Sequence, residues 1–141
     1  MVLIICGPSE NIIKKDIISR LGIKLRRNIR VLEFTNEPQH IMASADIFCN
    51  PSFREGFGQV VIEASACSLP CVVSNIYGLA DSIIDNKTGL FFSPKSSDDL
   101  FLKLKLLIEN KELALSMGRS ARTYVLNNFS QSDLVRLQSK F

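Results

Sequence analysis

Short apolar runs alternate with amphipathic stretches along most of this chain. The runs of apolar and β-branched residues predict short strands at residues 2–6, 29–34, 46–50, 71–74 and 90–92. The first run stops at Gly7-Pro8 and contains no polar residue to mark a solvent face. Such a run is typical of a strand that is buried on both faces of a parallel sheet.

Apolar residues at helical spacing predict helices between these strands. The first helix, which Gly22 ends, is indicated by Ile12, Ile13, Ile17, Ile18 and Leu21. Short helices are expected up to Ala45 and up to Ile84, and another helix begins at Gln59. Strand and helix thus alternate with short links, which predicts an α/β fold: a doubly wound parallel sheet with helices on both faces, in a single domain. Ligands of such sheets bind beyond the carboxyl ends of the strands.

The final part of the chain is predicted to be helical. Ser97 caps a helix whose first turn carries Asp98 and Asp99, where the helix dipole favours negative charge. A second helix is expected at residues 111–126. The inward faces are predicted to be Leu100, Leu104, Leu107 and Ile108 in the first helix and Met117, Ala121, Tyr124 and Val125 in the second.

The composition is that of a soluble globular domain. The chain has 141 residues, of which 46% are hydrophobic and 22% are charged, and these proportions are ordinary. The apolar start at residues 1–6 is too short for a membrane span or a signal peptide, and no basic residue precedes it. A cytoplasmic protein is therefore expected.

The formal net charge of +3 is unevenly distributed. Between positions 14 and 30, where Asp16 is the only acid, lie Lys14, Lys15, Arg20, Lys24, Arg26, Arg27 and Arg30. One interpretation is a solvated helix face and loop, and the other is peripheral contact with an anionic surface at the inner face of a membrane. Nucleic acid is not expected as a partner, because no aromatic side chain interleaves with these bases.

The cysteines and the single histidine do not indicate a metal site. Cys6, Cys49, Cys67 and Cys71 form no C-x2-C pair, and most of them lie in or beside apolar runs, so buried reduced thiols are expected. His40 is the only histidine, which leaves a zinc site without its usual ligands.

Residues 51–75 contain the candidate site. From Gly56 to Ala80 the only charged side chain is Glu63, and a carboxylate in so apolar a run either reaches solvent or binds a polar ligand. Glu55 precedes a Gly-Phe-Gly segment whose glycines allow a sharp turn with exposed amide groups. Because a helix begins near Gln59, these amides would point at a bound anion with the helix dipole behind them.

The spacing of Glu55 and Glu63 within PSFREGFGQVVIEA resembles the E-x7-E motif of retaining glycosyltransferases of family 4, which have the GT-B architecture. The surrounding sequence makes the match specific: Pro51-Ser52, Leu69-Pro70 and Thr88-Gly89-Leu90. The resemblance extends over residues 7–130. It implies the C-terminal, nucleotide-sugar-binding half of a GT-B fold, which is a Rossmann-like domain.

The resemblance also implies a role for each matching residue. Glu55 corresponds to the glutamate near the donor sugar and is the candidate catalytic residue. Glu63 corresponds to the glutamate that holds the ribose hydroxyls. The donor-binding backbone segment corresponds to Gly56, Phe57, Gly58, Gln59 and Val60. Neither a metal ion nor another cofactor is expected.

Some of these residues also have a purely structural interpretation. Glu55 could be an exposed loop carboxylate, Glu63 a helix-surface residue, and Phe57 a core side chain under the loop. Each of these structural roles is ordinary for its residue type, but the motif and its context together favour the functional interpretation.

The implied activity is that of a hexosyltransferase. Such an enzyme transfers a sugar from a nucleotide donor, expected to be a UDP-sugar, to a glycan or lipid-linked glycan acceptor in surface polysaccharide synthesis. A GT-B transferase has a second Rossmann-like domain for its acceptor, and this chain is long enough for the donor domain alone. Its opening strand corresponds to the second strand of that domain, so the first strand and the basic residues after it are expected to be absent.

These departures predict an N-terminally truncated donor domain at residues 1–129, followed by a helix at residues 130–141. This helix is expected to contact a missing N-terminal domain, an acceptor-domain chain or a second copy through Leu134, Leu137 and Phe141. Two alternatives remain for the function. The chain could be a non-catalytic remnant or half of a split transferase that only binds nucleotide sugar, or it could be a GT-B-fold UDP-sugar epimerase. Ser68 is a further departure, since relatives usually have glycine there.

Overall fold

Parallel strand pairing organises both compact units into which the chain divides, with the boundary between Pro38 and Gln39. The structure is a computed structural model that describes residues 1–7, 19–20, 27–32 and 34–129. The predicted helix at residues 130–141 and most of the predicted helix ending at Gly22 lie outside these residues.

The first unit contains a two-stranded parallel sheet. Strand β1 (Leu3–Cys6) pairs with β2 (Ile29–Leu32), and Leu3 lies opposite Ile29. Leu3 is 50% exposed, so the prediction of a strand buried on both faces is wrong. The physical reason is that pairing with β2 occupies an edge of β1, whereas burial requires layers packed on its two faces. Both Leu3 and Ile4, which point to opposite faces, are exposed.

The second unit contains a three-stranded parallel sheet in the order β3-β4-β5. The strands are β3 (Phe48–Asn50), β4 (Cys71–Ser74) and β5 (Gly89–Phe92). All positions of the central strand β4 are buried, as predicted for a parallel strand with a neighbour on each side. Asn50 lies opposite Val73, and Ser74 lies opposite Phe92, so the three carboxyl ends share one edge of the sheet.

Helices cover both faces of this sheet. They are α1 (Pro38–Ala43), α2 (Gln59–Ala66), α3 (Ser97–Glu109) and α4 (Lys111–Asn128). Val73 packs with Val61 of α2 in one hydrophobic cluster. Its neighbour Val72 points to the opposite face and packs with Leu107 of α3 and Met117 of α4. The predicted α/β class, with parallel strands and helices on both faces, is therefore confirmed.

Two details of the predicted helices are wrong. Ser96, and not Ser97, caps α3, because its Oγ accepts a hydrogen bond of 3.2 Å from the amide of Asp99. The Asp99 carboxylate accepts a hydrogen bond of 2.6 Å from the amide of Ser93. This hydrogen bond lowers the pKa of Asp99.

Ile108 is 49% exposed, so its predicted place on the inward face of α3 is wrong. It follows the buried Leu107 by a rotation of about 100° around the helix axis and so leaves the inward face.

The predictions for α4 and for the segment before β5 have mixed outcomes. Met117, Ala121 and Val125 are buried as predicted, whereas Tyr124 is half-buried. In place of a short helix ending at Ile84, the structure has one turn of 3-10 helix at Tyr77–Leu79, followed by turns.

The four cysteines all lie in the described residues, and none of them forms a disulfide bond. Burial raises the pKa of Cys71 to about 12 and that of Cys49 to about 11, so both thiols stay protonated at neutral pH. The prediction of a buried thiol is confirmed for Cys71. It is wrong for Cys6, which is exposed because it lies on β1.

Helix α4 packs very closely on the turn between α2 and β4. A Cβ atom at Gly118 would overlap the carbonyl oxygen of Ser68. Arg122 reaches the same turn and donates a hydrogen bond to the carbonyl oxygen of Ala66. Ser68 itself has a φ of 63°, in the left-handed region that glycine adopts without steric cost.

We expect Gly118→Ala to lower the free energy of unfolding by about 1–3 kcal/mol, because the new methyl group would force α4 away from the Ser68 carbonyl. At a solvent-exposed position of a helix, a change from glycine to alanine would stabilise the protein instead, since alanine has the higher helix propensity. Urea denaturation would measure the effect, with Ser116→Ala at an exposed position of α4 as the control. An increase in stability for Gly118→Ala would contradict the close packing.

We expect Ser68→Gly to raise the free energy of unfolding by about 0.5–1 kcal/mol. Glycine adopts the left-handed conformation of this position without steric strain, and this gain exceeds the larger loss of conformational entropy that glycine suffers on folding. Ser68→Ala is the matched control, since alanine removes the hydroxyl but keeps the Cβ that is strained. Equal stabilisation by both changes in urea denaturation would show that the hydroxyl, and not the backbone, is responsible.

Candidate functional site

Glu55 lies just beyond the carboxyl end of β3 and is held by a short series of hydrogen bonds. Asn50, the last residue of the strand, is buried, and its Oδ1 accepts a hydrogen bond of 3.1 Å from the amide of Ser52. The Oγ of Ser52 donates a hydrogen bond of 2.8 Å to Oε1 of Glu55. The half-buried carboxylate of Glu55 is therefore oriented from the strand, unlike that of a freely exposed loop residue.

Helix α2 begins at Gln59, as predicted, and its cap is Gly58. Gly58 has a φ of 65° and a ψ of 34°, and no side chain forms a capping hydrogen bond. Its carbonyl accepts hydrogen bonds from the amides of Val61 at 2.9 Å and Ile62 at 3.3 Å. The amides of Gln59 and Val60 precede these first intrahelical bonds, so the positive end of the helix dipole and these donors are available to an anion.

Glu63 lies one turn further along α2. Its carboxylate is half-buried, and Oε1 accepts a hydrogen bond of 3.0 Å from Nε2 of Gln59. The remaining faces of this turn are buried, at Val61, Ile62, Ala64 and Ser65. Glu63 and Gln59 therefore form the polar stripe of an otherwise buried helix.

A second segment closes over the glycine-rich loop at residues 55–58. A Cβ atom at Gly78 would overlap the carbonyl oxygen of Glu55. A Cβ atom at Gly58 would lie 2.5 Å from Cδ2 of the fully buried Leu79. The 3-10 turn at Tyr77–Leu79 can therefore lie on the backbone of the loop because position 78 is glycine, and glycine at position 58 leaves room for the Leu79 side chain.

Sequence reasoning missed Gly78, to which it assigned no role. The available signal was a glycine between two large side chains, Tyr77 and Leu79, shortly after the carboxyl end of a buried strand. Gly56 is different, since a Cβ atom there would meet no described atom within 4 Å. The packing of the described residues therefore does not require glycine at position 56. The absence of a side chain there leaves open space in front of the loop.

Phe57 does not fill the core under the loop, so the structural interpretation of this residue is wrong. Its side chain is 44% exposed, and its ring meets that of Phe129 edge to face at a centroid distance of 6.0 Å. Phe129 contacts Tyr124 in the same manner at 6.0 Å, and the Tyr124 hydroxyl donates a hydrogen bond of 3.0 Å to the carbonyl of Asp81. These aromatic rings link the loop to the end of α4.

Within the described ranges, His, Cys, Asp and Glu side chains form no group of three or more that could hold a metal ion. No helix in this part of the chain combines the length and the apolar character that crossing a bilayer requires. Of the basic cluster at residues 14–30, the structure describes Arg20, Arg27 and Arg30, which are exposed.

The fold and the site together define an α/β domain with two carboxylates and an anion-receptive helix start at the carboxyl edge of its sheet. Residues 1–124 match the glycosyl transferases group 1 family. The match covers most of the chain, and the chain therefore belongs to this family.

Curated relatives of the chain are glycosyltransferases. The capsular polysaccharide biosynthesis glycosyltransferase CapM of Staphylococcus aureus is 27% identical over 128 residues, which are 91% of this chain and 34% of that protein. The N,N'-diacetylbacillosaminyl-diphospho-undecaprenol alpha-1,3-N-acetylgalactosaminyltransferase of Campylobacter jejuni is 37% identical over 81 residues, 57% of this chain and 22% of that protein. The chain spans about a third of the length of CapM.

Solved glycosyltransferase structures share the fold. TarM superposes with a TM-score of 0.84 at 27% identity, over 99% of this chain and 28% of that chain. HepE from Anabaena, solved in complex with UDP and glucose, superposes with a TM-score of 0.82 at 20% identity, over 99% of this chain and 40% of that chain. The GT-B-type fold that the motif implied is confirmed.

We expect Gly78→Ala to lower the free energy of unfolding by about 1–3 kcal/mol, because the methyl group would push the turn off the Glu55 carbonyl. Amide hydrogen exchange at residues 55–61 should also become faster than in the wild type. Gly56→Ala is the matched control, since its methyl group would enter open space. If both variants showed the same stability and exchange, the contact between the turn and the loop would not hold the site.

Proposed function

We propose that this chain is the nucleotide-sugar-binding domain of a retaining, family 4 glycosyltransferase of the GT-B type. The donor is a UDP-sugar, and its hexosyl group passes to a glycan or lipid-linked glycan acceptor in surface polysaccharide synthesis. The observation that carries the proposal is the placement of Glu55 and Glu63 on either side of the uncapped start of α2. The names of CapM and of the Campylobacter relative support the acceptor class, and the UDP bound to HepE supports the donor.

Glu63 is proposed to bind the two ribose hydroxyls of the donor. A carboxylate can accept one hydrogen bond at each oxygen from a vicinal diol, and such charge-assisted bonds are stronger than neutral ones. Glu63 lies on the polar stripe of α2, and the hydrogen bond from Gln59 holds its carboxylate in place. This arrangement supports binding of a diol more than it supports a solvated helix surface.

The start of α2 is proposed to bind the diphosphate. The amides of Gln59 and Val60 and the helix dipole favour negative charge at this point, and that charge grows on the diphosphate as it leaves the sugar. The open space at Gly56 lets a ligand approach the backbone of residues 56–58. No metal ion is needed in this proposal, since the amides and the dipole supply the stabilisation.

Glu55 is proposed to act at the donor sugar as the catalytic residue. The hydrogen bond from Ser52 fixes one carboxylate oxygen, so the other can accept hydrogen bonds from sugar hydroxyls. Positioning the sugar relative to the diphosphate lowers the entropic cost of reaching the transition state.

A second candidate is that the chain binds nucleotide sugar without transferring it alone, either as half of a split transferase or as a non-catalytic remnant. The supporting observation is that the chain spans about a third of the length of CapM. In both candidates we place acceptor binding outside residues 1–141. Nucleotide-sugar binding is common to both, so a binding measurement tests the shared core of the proposal.

We expect the wild-type chain to bind UDP in calorimetric titration, and Glu63→Gln to weaken binding by about 10- to 100-fold through loss of the charge-assisted hydrogen bonds. Glu109→Gln is the matched control, because this exposed glutamate on α3 pairs with Lys105 away from the loop. GDP in place of UDP tests the choice of base.

Two results would overturn the proposal. One is a folded wild-type chain that binds no UDP, and the other is equal binding by wild type and Glu63→Gln. Release of glucose from UDP-glucose only after an acceptor-domain chain is added would favour the split transferase.

A further inference from the structure

Tyr77 is fully exposed at the tip of a well-anchored turn. Its side chain is 100% exposed, whereas Leu79, two residues later, is completely buried. The amide of Ile76 donates a hydrogen bond of 2.9 Å to the carbonyl of Ser74, which ties the turn to the end of β4. The amide of Ala80 closes the turn with a hydrogen bond of 3.2 Å to the Tyr77 carbonyl. The backbone of Tyr77 is therefore held in place while its ring contributes no packing.

The turn places Tyr77 beside the loop that carries Glu55. Gly78, the next residue, lies against the Glu55 carbonyl, and Leu79 lies against Gly58. Phe53, which precedes Glu55 by two residues, is also 65% exposed. Exposed aromatic side chains thus border the segment to which the proposed function assigns the donor sugar.

The other tyrosine of the chain shows what a structural tyrosine looks like here. Tyr124 is half-buried, its hydroxyl donates a hydrogen bond to the Asp81 carbonyl, and its ring meets Phe129. Tyr77 is fully solvated by contrast, although a large aromatic ring in water stabilises nothing in the fold. What distinguishes Tyr77 is its position: its backbone is constrained beside the loop of Glu55, and its ring is free to contact a ligand there.

We propose that Tyr77 binds the sugar of the donor by stacking its ring on the apolar face of the pyranose. A pyranose has hydroxyl groups around its edge and C–H bonds on its faces, and the electron-rich face of an aromatic ring attracts polarised C–H bonds. Glu55 accepts hydrogen bonds from the edge while Tyr77 covers a face. Sugar recognition thus combines a carboxylate with an aromatic plane, as binding sites with few polar groups commonly do.

This inference rests on the proposed function and deepens it. It assigns Tyr77 a part in distinguishing a nucleotide sugar from the bare nucleotide, since the ring contacts the hexosyl group and leaves the uridine and diphosphate to other residues. The phenol hydroxyl has no part in stacking, so phenylalanine should replace tyrosine without loss.

Calorimetric titration of the full chain with UDP and with UDP-glucose tests the inference. We expect Tyr77→Ala to bind UDP-glucose about three- to tenfold more weakly than the wild type and to bind UDP equally well. Tyr77→Phe should bind both ligands as the wild type does, because stacking uses the ring and not the hydroxyl. Equal affinity of Tyr77→Ala and wild type for UDP-glucose would overturn the inference, as would an equal loss for UDP and UDP-glucose.

Fluorine NMR gives a second readout that does not depend on affinity. The chain has two tyrosines and no tryptophan, so incorporation of 3-fluorotyrosine yields two signals, which Tyr77→Phe assigns. UDP-glucose should shift the Tyr77 signal, and UDP should leave it unchanged. If both ligands bind but neither shifts the Tyr77 signal, the stacking role would be overturned and the proposed function would stand. Absence of binding of either ligand to the wild type would overturn the two together.

Discussion

The close approach of Gly78 to the carbonyl oxygen of Glu55 is the contact on which the candidate site depends. Any larger residue at position 78 would lift the turn, and with it Leu79, whose side chain packs against Gly58 at the start of α2. One steric condition thus links the position of the catalytic candidate, the conformation of the helix cap and the placement of Tyr77. Glycine loses more conformational freedom on folding than other residues, and here that cost secures a shape that no other residue allows.

The parallel sheet determines where this contact occurs. Parallel strands have their carboxyl ends at one edge, so the loop after β3 and the turn after β4 emerge side by side. Asn50 at the end of β3 then orients Ser52, and Ser52 orients the carboxylate of Glu55, through one hydrogen bond each. Although Glu55 lies on a loop, its position is well defined, because the segments that contact the loop are anchored to the ends of the buried strands β3 and β4.

Helix α4 supports the same region from a different direction. Gly118 and Arg122 hold the turn after α2, and the rings of Phe129 and Tyr124 connect the end of α4 to Phe57. These contacts bracket α2 at both of its ends. The proposed donor is flexible and highly hydroxylated, and a rigid helix start with carboxylates on either side would suit its binding.

The local pattern of residues determined much of this protein: the strand at Cys71–Ser74, the start of α2 at Gln59, and the spacing of Glu55 and Glu63 that indicated the family. These features follow from periodicity, glycine punctuation and a motif, all of which lie within a few neighbouring residues. Only the tertiary structure decided the exposure of Leu3, the outward position of Phe57, and the contact of Gly78 with Glu55. Burial and close approach depend on which distant segments meet, and no local pattern in one sequence records that.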